Sequence, residues 1–381
     1  MSVDAGGRKD SSAPVDPRRR QSTSAPLLMT PGPTRVPDRV LRAGARPMLH
    51  HRSNEFSREL AELLTLLAPL FGTRQPILPV HTTGRGSMEA TLCNLFRPGD
   101  EIAVCSNGRF GALWATIAEY HGMVAHQIAR DWSSDIDNAE LTTLLTSRPG
   151  IKAVAIAYCD TSTGVENDVE GISRIAASHG ALMLVDGISA IGGMPFEMDE
   201  WGVDVAVTAS QKCLMSSPGV SFAVMSERAW AASSRATLPR GYWDFPEIKK
   251  SVTAAHPMTN GTPPVHPIMQ VAEALRIMHE EGLPQVFRRH VQVAERTRAG
   301  LAKLGLGRQC PALRRLAPTL TAVAMPAGKD PGPLRAALRA RGIEVASGLG
   351  KFEGSGFRIG HMGDINIDDV DRTLGALAEA L

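Results

Sequence analysis

The spacing of apolar residues changes along the chain. Residues 55–71 carry leucines every three or four positions, which is the stripe of an amphipathic helix. Short apolar runs then alternate with helical stretches such as residues 88–96 and 169–178. The apolar runs lie at residues 77–80, 102–105, 154–157, 182–185 and 205–207. Strands that alternate with helices predict an α/β fold with a mostly parallel, doubly wound sheet.

Polar or glycine-containing turns follow four of these predicted strands. In chain order the turns contain the sequences HTTGRGS, SNGRFG, CDTSTG and DGIS. Ligands of open α/β sheets bind beyond the carboxyl ends of the strands, so we expect the four turns to face one crevice.

The second half of the chain predicts a connection and a further domain. Residues 239–267 are interrupted by Pro and Gly, which indicates a connecting segment rather than core. Helical patterns at residues 269–281 and 285–304 lead into a strand-like run at residues 319–324. We therefore expect a large domain over residues 28–269, including an N-terminal segment, and a smaller C-terminal α+β domain over residues 270–381.

Composition narrows the classes of function. The 381 residues are 43% hydrophobic and 21% charged, with a formal net charge of +2, as in a folded globular protein. There is no long basic block, so we expect a small-molecule substrate and neither nucleic acid nor membrane as a partner. Residues 1–27 lack an apolar stretch and are expected to be a disordered tail, not a signal peptide or membrane span. The five cysteines form no CxxC pair, which indicates no disulfide framework, no metal site and a reducing, cytoplasmic location.

Three features of the predicted turns carry candidate chemistry. Lys212 follows an apolar strand, and a partly desolvated lysine there can form an imine with an aldehyde. Asp186 ends the strand ALMLVD, where a buried carboxylate can keep the pyridine nitrogen of pyridoxal 5′-phosphate (PLP) protonated. The turn at residues 83–87 opens a predicted helix whose amides and hydroxyls can bind a phosphate. Each feature alone is weak, because most lysines are solvated and strand-end aspartates often cap turns.

The order of nine motifs is more specific than any one of them. From about residue 28 to residue 381 the chain resembles class V aminotransferases, in particular the alanine–glyoxylate and serine–glyoxylate (serine–pyruvate) branch. The motifs are PGPTRVP (31–37), HHRSNEF (50–56), GRGSMEA (84–90), SNGRFG (106–111), DTSTGVEND (160–168), VDGISAIGG (185–193), SQKCL (210–214), TPPV (262–265) and FRIGHMG (357–363). The resemblance implies the PLP-dependent transferase fold type I and PLP as cofactor.

The resemblance also implies roles for residues around the cofactor. Lys212 is expected to be the Schiff-base lysine and the base that moves a proton during the reaction. Asp186 is expected to pair with the pyridine nitrogen, and Phe110 to stack on the ring. Thr161 is expected near the ring oxygen. The positions expected on the phosphate side are Thr83, Gly84, Arg85 and Gln211.

Two further positions bear on the substrate and on assembly. Thr262 matches a residue that reaches the phosphate bound by a neighbouring subunit, which implies a homodimer with shared active sites. Arg358 matches the arginine that binds the substrate α-carboxylate through paired hydrogen bonds. The implied activity moves an amino group from an amino acid of the alanine or serine type to a 2-oxo acid such as glyoxylate or pyruvate, by a ping-pong mechanism.

Some positions depart from the pattern of the family. Arg85 stands where relatives commonly have a small hydroxyl residue or a histidine, so its charge can strengthen the phosphate site or meet a second acidic group of the substrate. Thr259 stands near a position where animal relatives have a tyrosine. His50, His51 and His361 lie in the motifs but are assigned no chemical step.

Other functions stay open from the sequence. A class V lyase or cysteine desulfurase shares the fold, Lys212 and Asp186, although GRQCPAL around Cys310 lacks the Ser/Gly-rich loop expected around a mobile thiol. An aminotransferase for an unusual amine donor also fits. A PLP-binding homologue without catalysis is expected to lose Lys212, Asp186 or Arg358, and all three are present.

Overall fold

The computed structural model describes residues 25–129 and 131–381. The strands are β1 (Leu27–Met29), β2 (Ile77–Val80), β3 (Glu101–Ser106), β4 (Val124–Ala129), β5 (Ile151–Ala157), β6 (Cys159–Asp160), β7 (Val165–Glu166), β8 (Leu182–Asp186), β9 (Val205–Ala209), β10 (Ser221–Met225), β11 (Gly307–Arg308), β12 (Leu320–Ala324), β13 (Ile343–Ser347) and β14 (Gly356–Gly360). The disordered tail expected over residues 1–27 falls, for residues 1–24, outside the described residues. At its end the expectation was wrong, because Leu27 is buried and pairs with Ile343 as the first residue of β1.

Helices connect and cover these strands. They are α1 (Asp38–Gly44), α2 (Asn54–Phe71), α3 (Gly84–Leu95), α4 (Arg109–Tyr120), α5 (Asn138–Ser147), α6 (Val169–Ser178), α7 (Met198–Trp201), α8 (Glu227–Ser233), α9 (Phe245–Val252), α10 (Val265–Glu281), α11 (Leu283–Lys303), α12 (Pro331–Ala340) and α13 (Ile367–Ala380). In the described part of the chain, no helix is long and apolar enough to cross a membrane.

The large sheet has seven strands in the order β2-β10-β9-β8-β5-β3-β4. β10 is antiparallel to both of its neighbours, and the other strands are parallel to one another. One face packs on α2, α5, α6 and α10, and the other on α3, α4 and α9. Because both faces are covered, the central strands are continuous apolar runs. The predicted doubly wound, mostly parallel sheet is therefore confirmed.

Two strands of this sheet had no counterpart in the sequence prediction. β4 is an edge strand, and its sequence VAHQIA carries polar residues that interrupt the apolar run. β10 has an apolar sequence, SFAVM, but its antiparallel direction has no sequence signal. Edge position and strand direction are set by the rest of the sheet, so a local pattern does not contain them.

The second sheet has five strands in the order β1-β13-β14-β12-β11. Its own core includes Phe357, Ile359 and residues of α11, α12 and α13. β1 comes from the start of the chain and pairs in parallel with β13. The N-terminal segment is therefore part of the small sheet, although the next strand along the chain, β2, belongs to the large sheet. The division of the chain at residue 270 stays a prediction.

The expectation that residues 239–267 lie outside the core was partly wrong. The segment contains α9, whose Phe245, Ile248 and Val252 are buried against the large sheet. Asp244 caps this helix by accepting a hydrogen bond from Glu247 N. Spacings of three and four residues provide one apolar stripe, but the helix is short and the Pro and Gly around it obscured the pattern.

Candidate functional site

Lys212 lies in a turn that follows β9. Hydrogen bonds from Ser210 N to the Val220 carbonyl (3.0 Å) and from Ser216 N to the Ser210 carbonyl (2.9 Å) close this turn. The Lys212 side chain is half-buried, and its Nζ donates to the carbonyl of Pro31. Burial, and then the positive charge of Arg358, lower the pKa of Lys212 to about 8. The amine is therefore closer to its neutral, nucleophilic form than an exposed lysine is.

Asp186 lies at the carboxyl end of β8, one strand away from β9. The side chain is buried, and one carboxylate oxygen accepts a hydrogen bond of 2.8 Å from Ile188 N. Burial raises the pKa of Asp186 to about 7, because the hydrogen bond from Ile188 N only partly compensates for lost hydration. Lys212 is near enough to act in the opposite direction on this pKa. A buried carboxyl with this surrounding can pair with a protonated ring nitrogen.

Asp160 is a buried residue that the sequence interpretation did not single out. One oxygen accepts from Phe110 N and Gly111 N, both at 2.8 Å, at the start of α4. The other accepts from Ser162 N (2.9 Å) and from the Ser162 hydroxyl (2.6 Å). Four donors and a positive helix end hold this carboxylate, although burial raises the pKa of Asp160. Asp160 thus fixes the backbone of Phe110, whose side chain is half-buried.

Arg358 on β14 reaches the turn that follows β6. Its Nη1 donates to the Thr161 carbonyl (3.0 Å), and its Nε donates to the Ser347 carbonyl (2.9 Å). Burial lowers the pKa of Arg358 to about 10, so the guanidinium stays charged at neutral pH. The Thr161 hydroxyl pairs at 2.6 Å with the hydroxyl of Ser189, another buried residue that the sequence interpretation did not single out.

The start of α3 presents backbone N–H groups without a side-chain cap. Thr83 is the N-cap residue, and its hydroxyl makes no capping hydrogen bond. Gly84 is buried, and a Cβ there would collide with Ile188, two residues beyond Asp186. Arg85 is exposed. An uncapped helix start with a close backbone approach suits a phosphate.

Two other predicted positions differ in their surroundings. Gln211 precedes Lys212, and its Oε1 is buried without a hydrogen-bond partner. Thr262 is exposed and, in the described part of the chain, makes no hydrogen bond to the group around Lys212. Thr259 is buried and donates at 2.6 Å to the Gly261 carbonyl, within its own loop.

The four turns do converge, as expected from the sheet. Gly84 approaches the turn after β8, Phe110 approaches the turn after β6, and Thr161 meets Ser189. The group combines an amine of lowered pKa, a carboxyl of raised pKa, an uncapped helix start and the orphaned Gln211 oxygen. These residues fit PLP, which carries an aldehyde, a basic ring nitrogen and a phosphate. The individual roles stay predictions.

His361 has a structural environment. It is buried, its Nδ1 faces the Pro318 carbonyl at 2.9 Å, and its Nε2 faces the Thr321 hydroxyl at 2.9 Å. Burial lowers the pKa of His361 well below its ordinary value. The neutral ring therefore ties β14 to β12 next to Arg358, and no chemical step is assigned to it.

Comparison with known proteins agrees with this geometry. The family model described as aminotransferase class-V matches residues 28–352. L-aspartate–glyoxylate aminotransferase of Paracoccus denitrificans (strain Pd 1222) is 34% identical over 353 residues, covering 90% of this chain and 88% of that protein. The crystal structure of alanine–glyoxylate aminotransferase from Nostoc sp. covers 100% of both chains, with a TM-score of 0.88 and 30% sequence identity.

One relative carries a different kind of name. A protein of Synechococcus sp. (strain PCC 6716) named soluble hydrogenase, small subunit, is 36% identical over 360 residues, covering 93% of this chain and 92% of that protein. In residues 25–129 and 131–381, no three His, Cys, Asp or Glu side chains are grouped so that they could hold a metal ion. The family match and the site agree with each other, and the predicted resemblance is confirmed. The chain belongs to the class-V aminotransferases, enzymes that transfer amino groups with PLP.

Proposed function

We propose that the chain takes an amino group from an amino acid of the alanine or serine type and gives it to a 2-oxo acid such as glyoxylate or pyruvate. The observation that carries this proposal is Arg358, which is buried within electrostatic reach of Lys212 and oriented by two backbone carbonyls. Its remaining N–H groups can bind the carboxylate that amino acid and oxo acid share. The names of the Nostoc and Paracoccus proteins both contain glyoxylate, which supports an acceptor of this class.

Lys212 is proposed to act twice. It is the residue that would hold the aldehyde of the cofactor, and once freed by the amino acid its neutral amine would take up and release the proton that leaves Cα of the substrate. With a pKa of about 8, about half of these amines are neutral at pH 8, whereas an ordinary lysine is almost entirely charged there. When bound, PLP supplies an aldehyde for the amino group and an electron-withdrawing ring.

The other residues are proposed to hold the cofactor. Asp186 would keep the ring nitrogen protonated, and that positive charge would in turn favour the ionised form of the carboxyl. Phe110 would stack on the ring, and Thr161 would bind on the side of the ring oxygen. Thr83, Gly84, Arg85 and Gln211 would bind the phosphate.

We further propose a homodimer with shared active sites. Thr262 is exposed at the start of the segment that leads into α10, so a second copy of the chain can bring it to the phosphate of the first. Mixing Lys212→Ala subunits with Thr262→Val subunits tests this. Mixed dimers have one site with both changes and one with neither, so activity should recover. No recovery in confirmed mixed dimers would contradict sharing.

A desulfurase finds less support than an aminotransferase. All five cysteines are buried and free, and burial raises the pKa of Cys310 to about 12. The Cys310 thiol donates a hydrogen bond to the Trp132 carbonyl at 3.3 Å, so it is protonated and directed away from the reactive role that a desulfurase requires. The absence of a disulfide among the described residues also supports the proposal of a cytoplasmic location. An unusual amine donor stays open.

The test of the activity is a half-reaction. The purified enzyme with PLP is mixed with single amino acids in the absence of any oxo acid, and the absorbance of the cofactor is followed. Alanine or serine should convert the lysine-bound cofactor into its aminated form, and glyoxylate or pyruvate should reverse the change. If the cofactor binds but only an amine without an α-carboxylate converts it, the proposed donor class is wrong.

A further inference from the structure

The segment of residues 30–34, here named the strap, leaves the small sheet at β1 and crosses to the lysine turn. Thr34 N donates to the Gln211 carbonyl at 3.0 Å, and the Thr34 hydroxyl donates to the Lys212 carbonyl at 3.0 Å. Thr34 is buried, with 4% of its surface exposed. One buried residue of the strap therefore fixes two successive carbonyl groups of the turn that presents Lys212, the first through its backbone N–H and the second through its hydroxyl.

The strap also contacts the amine. Lys212 Nζ donates to the carbonyl of Pro31. Gly32 has a φ of +124°, and a Cβ there would lie 2.5 Å from Lys212 Nζ. The positive φ favours glycine at this position, and a larger residue would also push the Lys212 side chain aside. The strap thus closes one side of the space that the Lys212 side chain can use.

The opposite side of the strap touches the strand of the substrate arginine. Gly360 ends β14 two residues after Arg358, and a Cβ at Gly360 would collide with the backbone of Thr30 and Pro31. The strap lies between the lysine turn of one sheet and the arginine strand of the other. Because β1 pairs with β13, whose Ser347 carbonyl orients Arg358, the strap is anchored to the same sheet as the arginine.

We infer that the strap sets the position of Lys212 relative to Arg358, with Thr34 and Gly32 as positioning residues for the proton transfer. A lysine side chain has four rotatable bonds, and proton transfer requires the amine at one place beside Cα of the substrate. Arg358 fixes the substrate through its carboxylate, and the strap ties the lysine turn to that arginine. This inference rests on the proposed roles of Lys212 and Arg358.

The test compares Thr34→Val with Thr34→Ser in the PLP-loaded enzyme. Valine keeps the shape but removes the hydroxyl that binds the Lys212 carbonyl, so kcat of the half-reaction should fall about fivefold to tenfold. KM should change less than about twofold, since the arginine is untouched. Thr34→Ser should restore kcat. The midpoint pH at which the lysine-bound cofactor titrates should shift from the wild-type value in Thr34→Val and should not shift in Thr34→Ser.

Thr297→Val is the matched control. Thr297 is equally buried and its hydroxyl donates to the Val293 carbonyl at 2.8 Å, but it lies in α11 away from the strap. If both valine variants lower kcat and thermal stability alike, Thr34 is only a structural residue and the inference fails. If the wild type binds PLP but never transfers an amino group, the proposed function fails instead.

Gly32→Ala is a second test of the positioning of Lys212, for the case in which Thr34→Val does not fold. The added methyl group would displace the amine and strain the backbone, so kcat should fall by more than about tenfold while PLP remains bound. A Gly32→Ala enzyme with unchanged kcat and an unchanged pH titration of the cofactor would overturn the inference.

Discussion

The two sheets prepare their parts of the site in opposite ways. At the carboxyl ends of the strands of the large sheet, burial moves Lys212 and Asp186 toward their neutral forms, and their weak mutual attraction only partly opposes this change. On the small sheet, Arg358 stays charged and is held by two backbone carbonyls. The first region is tuned by burial, whereas the second is charged and oriented by backbone carbonyls. The difference suggests that the large sheet is organised around a resident cofactor and the small sheet around a passing substrate.

Removing Lys212 should have the largest effect. Lys212→Ala removes the proposed attachment point and the proposed proton carrier, so the half-reaction should slow by at least about 10,000-fold. The measurement is single-turnover conversion of the cofactor by the amino acid donor. Lys303→Ala, at an exposed position of α11, is the control and should keep the wild-type rate. Turnover retained in Lys212→Ala would remove the assignment of this residue.

Asp186→Asn should have the next largest effect. An amide cannot hold the ring nitrogen protonated, so kcat should fall about 100- to 1000-fold, while the fold is kept. The stability of the cofactor-free enzyme should change in the other direction. Because burial raises the pKa of Asp186 to about 7, ionisation costs stability as pH rises from about 4 to about 7. The unfolding free energy of Asp186→Asn should exceed that of the wild type by an amount that grows from about pH 4 to about pH 7 and is constant at higher pH.

Asp204→Asn is the control for this prediction. Asp204 is also a buried aspartate of the large sheet, but it lies at the amino end of β9 and accepts from Met183 N (2.9 Å) and the Ser226 hydroxyl (2.6 Å). Asparagine cannot accept at both places, so stability should fall while cofactor binding is kept. A loss of stability in Asp186→Asn at neutral pH would contradict the contrast between the two regions.

Arg358→Gln should act on the substrate rather than on the cofactor. Loss of a charged, paired hydrogen bond should lower kcat/KM for the amino acid about 10- to 100-fold, chiefly through KM, with PLP affinity little changed. Steady-state kinetics and a cofactor titration measure the two effects separately. Arg314→Gln, which breaks an exposed ion pair with Asp135, is the control and should change neither. Equal losses of PLP and amino acid binding would show that Arg358 does not serve the substrate alone.

The sequence predicted the region of the large sheet better than the contacts between the regions. The apolar runs at residues 77–80 and 182–185 lie within β2 and β8, because buried parallel strands impose a continuous apolar pattern. Asp160 and Ser189 lie inside recognised motifs, but their importance comes from the donors around them in space. The polar character of a buried turn was their only local signal.

Long-range contacts explain the other omissions. Thr34 belongs to the motif PGPTRVP, yet no periodicity places it on the carbonyl of Lys212, 178 residues away. Likewise, the parallel pairing of β1 with β13 depends on the whole chain being folded. Local patterns determine elements, whereas the spacing of Lys212 from Arg358 depends on how the two sheets are packed.

The smallest predicted effect is an electrostatic one between the two regions. The proposed attachment of PLP to Lys212 requires the neutral amine, so the rate of attachment should rise with pH through about 8 in the wild type. Burial is the larger cause of this lowered pKa, and the positive charge of Arg358 is the second. Arg358→Gln should therefore move the midpoint of the rate to higher pH, and the remaining burial should keep that midpoint below the ordinary lysine pKa of 10.5. Arg339→Gln, at an exposed position paired with Glu344, should leave the midpoint unchanged. A midpoint that is the same in Arg358→Gln and wild type would mean that the arginine acts on the substrate carboxylate without acting on the lysine.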